Sequence, residues 1–148
     1  MTFEIEKSLG FLLSKAYQRL WTICRKELEE HDITPPQFAL LAFLWHHDGQ
    51  TQAELSEKSQ IDRTTIGGLV DRLEKSGLVQ RQRHPQDRRA YRIMLTSNGR
   101  VLEPVLNEVI ARTRQQFTAG LSDNEVTELV RMLGILRGER NIYEKPLY

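Results

Sequence analysis

One cysteine, Cys24, stands in the whole of this 148-residue chain, and a lone thiol cannot form an internal disulfide. Small secreted scaffolds carry several cysteines to staple a thin core, so that class is excluded and a reducing compartment is expected. Long apolar runs are missing too. The longest, Phe38 to Trp45, is eight residues, far short of the roughly 20 that span a bilayer. The opening, Met1-Thr2-Phe3-Glu4-Ile5-Glu6-Lys7, lacks the basic and apolar segments of a secretory signal, and a cytoplasmic location is expected. There is no internal repeat and no low-complexity stretch, and no phosphate-cradling glycine loop, nucleophile–base arrangement or paired carboxylates at a helical spacing that would suggest catalysis. Catalysis therefore has no positive support, and no cofactor is expected.

What the chain does have is an uneven distribution of charge. The net charge is only +1. Between Gln60 and Arg100, however, nine basic residues face four acidic ones, a local charge of +5, and the remainder holds 12 basic and 16 acidic residues. A basic block in an otherwise acidic chain is the electrostatic footprint of a nucleic-acid contact. A solvated charged face would look the same by charge alone.

Apolar periodicity predicts a mainly helical protein. From Ile5 to Glu30 a broad stripe (Ile5, Leu9, Leu12, Ala16, Leu20, Ile23) recurs every three or four residues. It is wider than one small domain can cover, which points to a dimer. Thr34-Pro35-Pro36-Gln37 and Thr51-Gln52-Ala53-Glu54 have the chemistry of capping boxes. They predict one helix ending near Gly49 and a short one ending near Lys58. Asp62 is placed to cap a third, Arg63 to Ser76, stopped by Gly77. The period then switches to alternation, and Leu78–Arg83 and Ala90–Leu95 read as two strands joined by the polar loop His84-Pro85-Gln86-Asp87-Arg88-Arg89. A helix opening at Thr96 and a last one opened by the capping box Ser122-Asp123-Asn124-Glu125 complete the chain.

The short and third helices, joined by Ser59-Gln60-Ile61, fit a helix-turn-helix. The second helix would present Arg63, Thr64, Thr65, Gly68 and Arg72 to a major groove, where Arg bonds guanine and Thr meets bases or phosphate. The basic hairpin that follows forms a wing whose tip, Asp87-Arg88-Arg89, suits a minor groove. Asp87 is expected to orient an arginine, Arg89, through a charge-assisted bond.

Asp62-Arg63-Thr64-Thr65-Ile66, Leu69-Val70-Asp71-Arg72-Leu73-Glu74-Lys75-Ser76-Gly77-Leu78-Val79, and Asp87-Arg88-Arg89 followed by Leu95-Thr96-Ser97-Asn98-Gly99 together resemble the signature of the MarR family, the multiple-antibiotic-resistance regulators. The resemblance covers nearly the whole chain. It implies one domain over residues 1–148, with a winged helix-turn-helix lobe at 33–100 and dimerisation helices at 1–32 and 101–148. It also implies a homodimeric regulator on a pseudo-palindromic double-stranded operator, a repressor relieved by a small aromatic effector. By the same resemblance Thr64, Thr65 and Arg72 carry over as recognition-helix contacts, and Arg88 and Arg89 as wing contacts. One departure stands out. Gly67-Gly68 occupies the middle of the recognition helix, where relatives carry a polar or basic side chain. Either another helix or DNA approaches the backbone there, or shape is read instead of bases.

Several other signals are weighed and set aside. Cys24 beside Arg25 reads as a core or interface residue, because Gly10 fills the position that peroxide-sensing relatives give to cysteine ahead of Phe11-Leu12-Leu13. His31, His46, His47, Asp48 and His84 have no metal-site spacing, and no metal is expected. Trp21, Phe38 and Trp45 are candidates to line an effector pocket, although aromatic residues at such spacing serve the core more often. A winged-helix interaction module without specific DNA binding is the alternative function. The +5 block and its Arg-rich tip argue against it.

Overall fold

The computed structural model describes residues 2–138. Among them six α-helices and three short strands follow one another: α1 (Leu9–Glu29), α2 (Pro35–His46), β1 (Gln50–Thr51), α3 (Gln52–Ser59), α4 (Arg63–Lys75), β2 (Val79–Arg83), β3 (Tyr91–Leu95), α5 (Ser97–Phe117) and α6 (Asp123–Leu136). This is the expected mainly helical architecture with a hairpin wing. Each capping box read from the sequence is made. Thr34 and Gln37, Thr51 and Glu54, and Ser122 and Glu125 exchange side-chain and backbone bonds at the starts of α2, α3 and α6.

Two local features were not visible in the periodicity. The first helix does not run unbroken from Ile5. A single 3-10 turn, Ile5–Lys7, comes first. Ser8 is then extended, with φ −71° and ψ 145°, and its side chain caps α1 by accepting from the Phe11 N–H. The apolar stripe crosses this break without a change of phase, so period alone cannot show it. The second feature is β1, two residues long, which is too short for any alternation to register. It pairs antiparallel with β3, Gln50 opposite Ile93, so the sheet order is β1-β3-β2. The buried Gln50 side chain donates from Nε2 to the carbonyls of Phe43 (2.7 Å) and His47 (2.6 Å). It thereby satisfies the end of α2, which stops at His46 rather than near Gly49.

Most of the core lies in the winged lobe, and Leu28 of α1 with Leu106 and Val109 of α5 extend it. Leu40, Leu41 and Leu44 of α2, Leu55 of α3, and Ile66, Val70 and Leu73 of α4 are fully buried, as is Ile93 of β3. Two glycines are required by this packing. Gly77 ends α4 with φ +74°, the left-handed conformation that favours glycine after a helix. Gly99, in the first turn of α5, lies so close to the end of α4 that a Cβ there would meet the Leu78 carbonyl oxygen at 2.1 Å. That contact, the Trp45 Nε1 bond to the Gly99 carbonyl (2.9 Å) and the Thr96 hydroxyl bond to the Gly77 carbonyl (2.6 Å) fix where α5 leaves the lobe.

The remaining helices are largely uncovered. Of the 21 residues of α1 only Leu28 is buried, and of the 14 of α6 only Val126. Leu9 (66% exposed), Val101 (69%) and Leu136 (64%) leave large apolar surfaces open on α1, α5 and α6. No described helix is long and apolar enough to cross a membrane.

Candidate nucleic-acid interface

The turn between α3 and α4 is built from serines and one left-handed residue. Gln60 takes φ +58° and ψ 24°, a conformation unfavourable for a residue with a Cβ. The Ser56 hydroxyl donates to the Ile61 carbonyl (2.5 Å), and the Ser59 hydroxyl accepts from the Ile61 N–H (3.2 Å). Asp62 then caps α4. Its two oxygens accept from the Thr65 backbone N–H (2.9 Å) and the Thr65 hydroxyl (2.7 Å). These bonds, the backbone one foremost, hold its carboxyl below the usual carboxylate range. The Thr65 hydroxyl hydrogen is therefore committed to the cap, which leaves its methyl group and oxygen lone pairs for a groove.

Arg63, Thr64, Thr65 and Arg72 are all exposed on α4. Arg63 faces a cleft of about 480 Å³ between the helix-turn-helix and the wing, lined also by Thr51–Ala53, His84, Asp87, Arg89, Ala90 and Tyr91. The fold thus gathers Arg63, Asp87 and Arg89 around one opening. Thr64 and Thr65 adjoin it in sequence, Arg72 lies further along α4, and Arg88 is exposed at the tip outside the lining. Among the described residues no ion pair involves Arg63, Arg72, Arg88 or Arg89. Their guanidinium groups stay available to phosphates.

The tip is ordered differently from the expectation. Asp87 makes no ion pair with the Arg89 guanidinium; its Oδ1 accepts from the Arg89 backbone N–H at 2.9 Å. An Asx turn, which needs only two residues' separation, satisfies the carboxylate locally and leaves both arginine side chains outward. The hairpin closes with β2 and β3 paired from Val79–Leu95 to Arg83–Tyr91.

Sequence reasoning also overcounted the free cations. Arg81 is a strut between the wing and the recognition helix. Its guanidinium pairs with Asp71 (2.7 Å) and Glu74 (3.1 Å), and it donates to the Gly67 carbonyl and to Gln52 Oε1 (each 3.3 Å). Arg100 pairs with Asp48 at 3.3 Å, while the other oxygen of Asp48 accepts from the N–H groups of Gly49 and Leu95. The acidic positions at i and i+3 on α4, Asp71 and Glu74, were the available signal for Arg81. Its partner strand could not be read from them.

The same strut accounts for half of the double glycine. A Cβ at Gly67 would stand 3.3 Å from Gln52 Nε2, so α3 is what approaches the backbone there. A Cβ at Gly68 would meet open space.

Phe38 and Trp45 meet edge to face, with ring centroids 6.0 Å apart, and both pack against the core. Trp21 instead lies 6.0 Å from the Tyr17 ring on α1. An apolar cavity of about 540 Å³ opens on another face of α2, lined by Ala39, Ala42, Phe43, His46 and Lys58. Cys24 is half-buried against the core, and burial pushes its thiol up, away from the thiolate that a sensor needs. Among the described residues no cluster of His, Cys, Asp or Glu is placed to hold a metal ion.

Comparison with known proteins matches residues 33–91 to the MarR family model. The chain is 34% identical over 135 residues, 91% of its length and 84% of the relative's, to the HTH-type transcriptional repressor NicR of Pseudomonas putida. Bordetella bronchiseptica BpsR, solved in a study of how 6-hydroxynicotinic acid regulates its DNA binding, superposes with a TM-score of 0.87. That match has 25% identity and covers 94% of this chain and 99% of that one. Apo MarR from E. coli superposes at 0.75 with 26% identity, over 87% and 96% of the two chains.

Proposed function

The chain belongs to the MarR family and is a DNA-binding transcriptional regulator, and from that premise we propose that it acts as a homodimeric, cytoplasmic repressor released from its operator by a small aromatic acid. The observation that carries the DNA-binding half is the cleft that brings Arg63 of α4 and Arg89 of the wing to one opening, with Arg72 further along α4 and Arg88 at the wing tip, both free of ion pairs among the described residues. In this reading α4 enters a major groove with Arg63, Thr64, Thr65 and Arg72, and the wing lays Arg88 and Arg89 along the adjacent minor groove. Residues 33–100 form the lobe that meets DNA. Residues 2–32 and 101–138 form the dimerisation region, and the rest of the two expected segments, residue 1 and 139–148, lies outside the described residues.

The uncovered faces of α1, α5 and α6 support a second copy as partner, because apolar surface of this extent is unfavourable in water. Two-fold symmetry then sets two half-sites about one helical turn, roughly 34–36 Å, apart. Sedimentation of the wild type as a dimer at micromolar concentration, and of Leu12→Glu as a monomer, tests the assembly. A folded wild-type monomer would refute it.

The effector half draws support from BpsR, whose DNA binding is regulated by 6-hydroxynicotinic acid. Trp45 already uses its N–H on Gly99 and Phe38 packs on the core, whereas Trp21, beside Tyr17 on α1, is part-exposed and stays a candidate to line a pocket. The cavity on α2 fits better. Its volume suits a small ligand, its Ala39, Ala42 and Phe43 walls suit a ring, and the Lys58 ammonium suits a carboxylate. DNA binding measured in a salt series, with and without 6-hydroxynicotinic acid and other aromatic carboxylic acids, tests the whole reading. Affinity should fall steeply with salt and fall again with an effective acid, and Lys58→Ala should abolish the second response. A flat salt series would overturn DNA binding through arginine and phosphate.

A further inference from the structure

The wing tip is held by a histidine acting in the manner of an Asx residue. His84 begins the loop between β2 and β3 and closes it through its backbone N–H to the Ala90 carbonyl at 3.0 Å. Its Nδ1 accepts from two backbone N–H groups, Gln86 and Asp87, each at 3.2 Å. Those are the residues two and three positions on, the pattern that Asn and Asp oxygens use to nucleate turns. The next link is Asp87, whose side chain accepts the Arg89 N–H. A chain of local bonds therefore runs from His84 through Asp87 to the arginine tip.

Such a bond pair demands one protonation state. A neutral imidazole carrying its proton on Nε2 offers a lone pair at Nδ1, whereas an imidazolium puts a third N–H against the two already there. The charged groups that share the cleft with His84 are Arg63 from α4 and Asp87 and Arg89 from the tip, and Tyr91 faces it from β3. The part contributed by β1 and the start of α3, Thr51–Ala53, carries no ionisable side chain.

We propose that His84 is a positioning residue for DNA binding: its neutral imidazole seats the wing tip, and its protonation unseats it and weakens the complex. The second clause rests on the reading that the wing contacts DNA. Its sign is distinctive. Added positive charge by itself strengthens a phosphate contact, so an ordinary surface histidine in this cleft would tighten binding on acidification.

The experiment compares the wild type, His84→Asn and His84→Ala on a duplex enriched by the protein from a random-sequence library. The Asn oxygen reproduces the two-bond acceptor without titrating. At about pH 8, wild type and His84→Asn should bind alike and His84→Ala about fivefold more weakly, the equivalent of one net hydrogen bond. Between about pH 8 and pH 5.5, across the range where histidine changes charge, the wild type should lose about fivefold relative to His84→Asn. In the DNA-free protein the Gln86 and Asp87 amide resonances should titrate in the wild type and stay fixed in His84→Asn. Wild-type affinity that rises relative to His84→Asn or runs parallel to it, or fixed wild-type amides, overturns the proposal. Titrating amides combined with full DNA affinity in Arg88→Ala and Arg89→Ala would instead overturn the wing contact, leaving the seat itself established.

Discussion

Replacing Arg81 separates a structural cation from a DNA-contacting one. Its side chain, 23% exposed, holds two carboxylates, a backbone carbonyl and an amide oxygen. Asp71 and Glu74 are 69% and 41% exposed, so solvent screens both ion pairs and each contributes about 0.2–1 kcal/mol. The bonds to Gly67 and Gln52 are long and contribute about 0.5–1 kcal/mol each. Arg81→Ala should then destabilise the fold by about 2 kcal/mol. For a chain near this length each kcal/mol moves the melting temperature by about 2–4 °C, so a fall of about 4–8 °C is expected. Arg81→Lys keeps the charge, but one ammonium cannot span four acceptors, and about half the loss should remain. DNA binding should weaken as well, because Asp71 and Glu74 are left as uncompensated negative charges on the recognition helix. The assay is urea or thermal unfolding run beside DNA titration. An unchanged unfolding midpoint with sharply weaker DNA binding would refute the strut and return Arg81 to the DNA surface.

Four further outcomes are expected. Arg88→Ala and Arg89→Ala should each weaken DNA binding by about 1–3 kcal/mol with unchanged unfolding midpoints. Because Asp87 holds backbone rather than a guanidinium, a double-mutant cycle in DNA affinity should couple Asp87 to both arginines rather than to Arg89 alone. Asp62, whose folded carboxyl is held below its ordinary value of 3.8 by the Thr65 bonds, contributes stability that is complete above that value. The contribution is lost as pH falls through the lower folded value. His-independent acid unfolding followed below about pH 4 should therefore be shallower in Asp62→Asn, which keeps a cap acceptor but does not titrate. Gly68→Ala should raise stability by about 0.5–1 kcal/mol, since a methyl group enters open space in a helix interior. Gly67→Ala, crowded by Gln52, should gain less; equal gains in urea midpoints would contradict the close approach.

The local elements of this protein were legible in the chain because the signals that make them are local. A capping box spans four residues, a helix stop needs one glycine at positive φ, and an alternating run announces a strand. Thr34, Thr51, Ser122, Asp62 and Gly77 all act where they were expected to act. The order of those elements, with the basic residues gathered around one helix and one hairpin, was enough to indicate a winged helix-turn-helix and its resemblance to a family of regulators. What the sequence could not decide is which cations are free. Arg81 and Arg100 sit in the same basic block as Arg88 and Arg89, yet long-range packing brings Asp71, Glu74 and Gln52 to the first and Asp48 to the second. Their partners stand 7 to 52 positions away along the chain, and no residue-to-residue period encodes such a meeting. The two-residue strand β1 and the Gly99 contact with Leu78 belong to the same class. They exist because elements distant in sequence are pressed together by a shared core, and only the tertiary structure sets that distance.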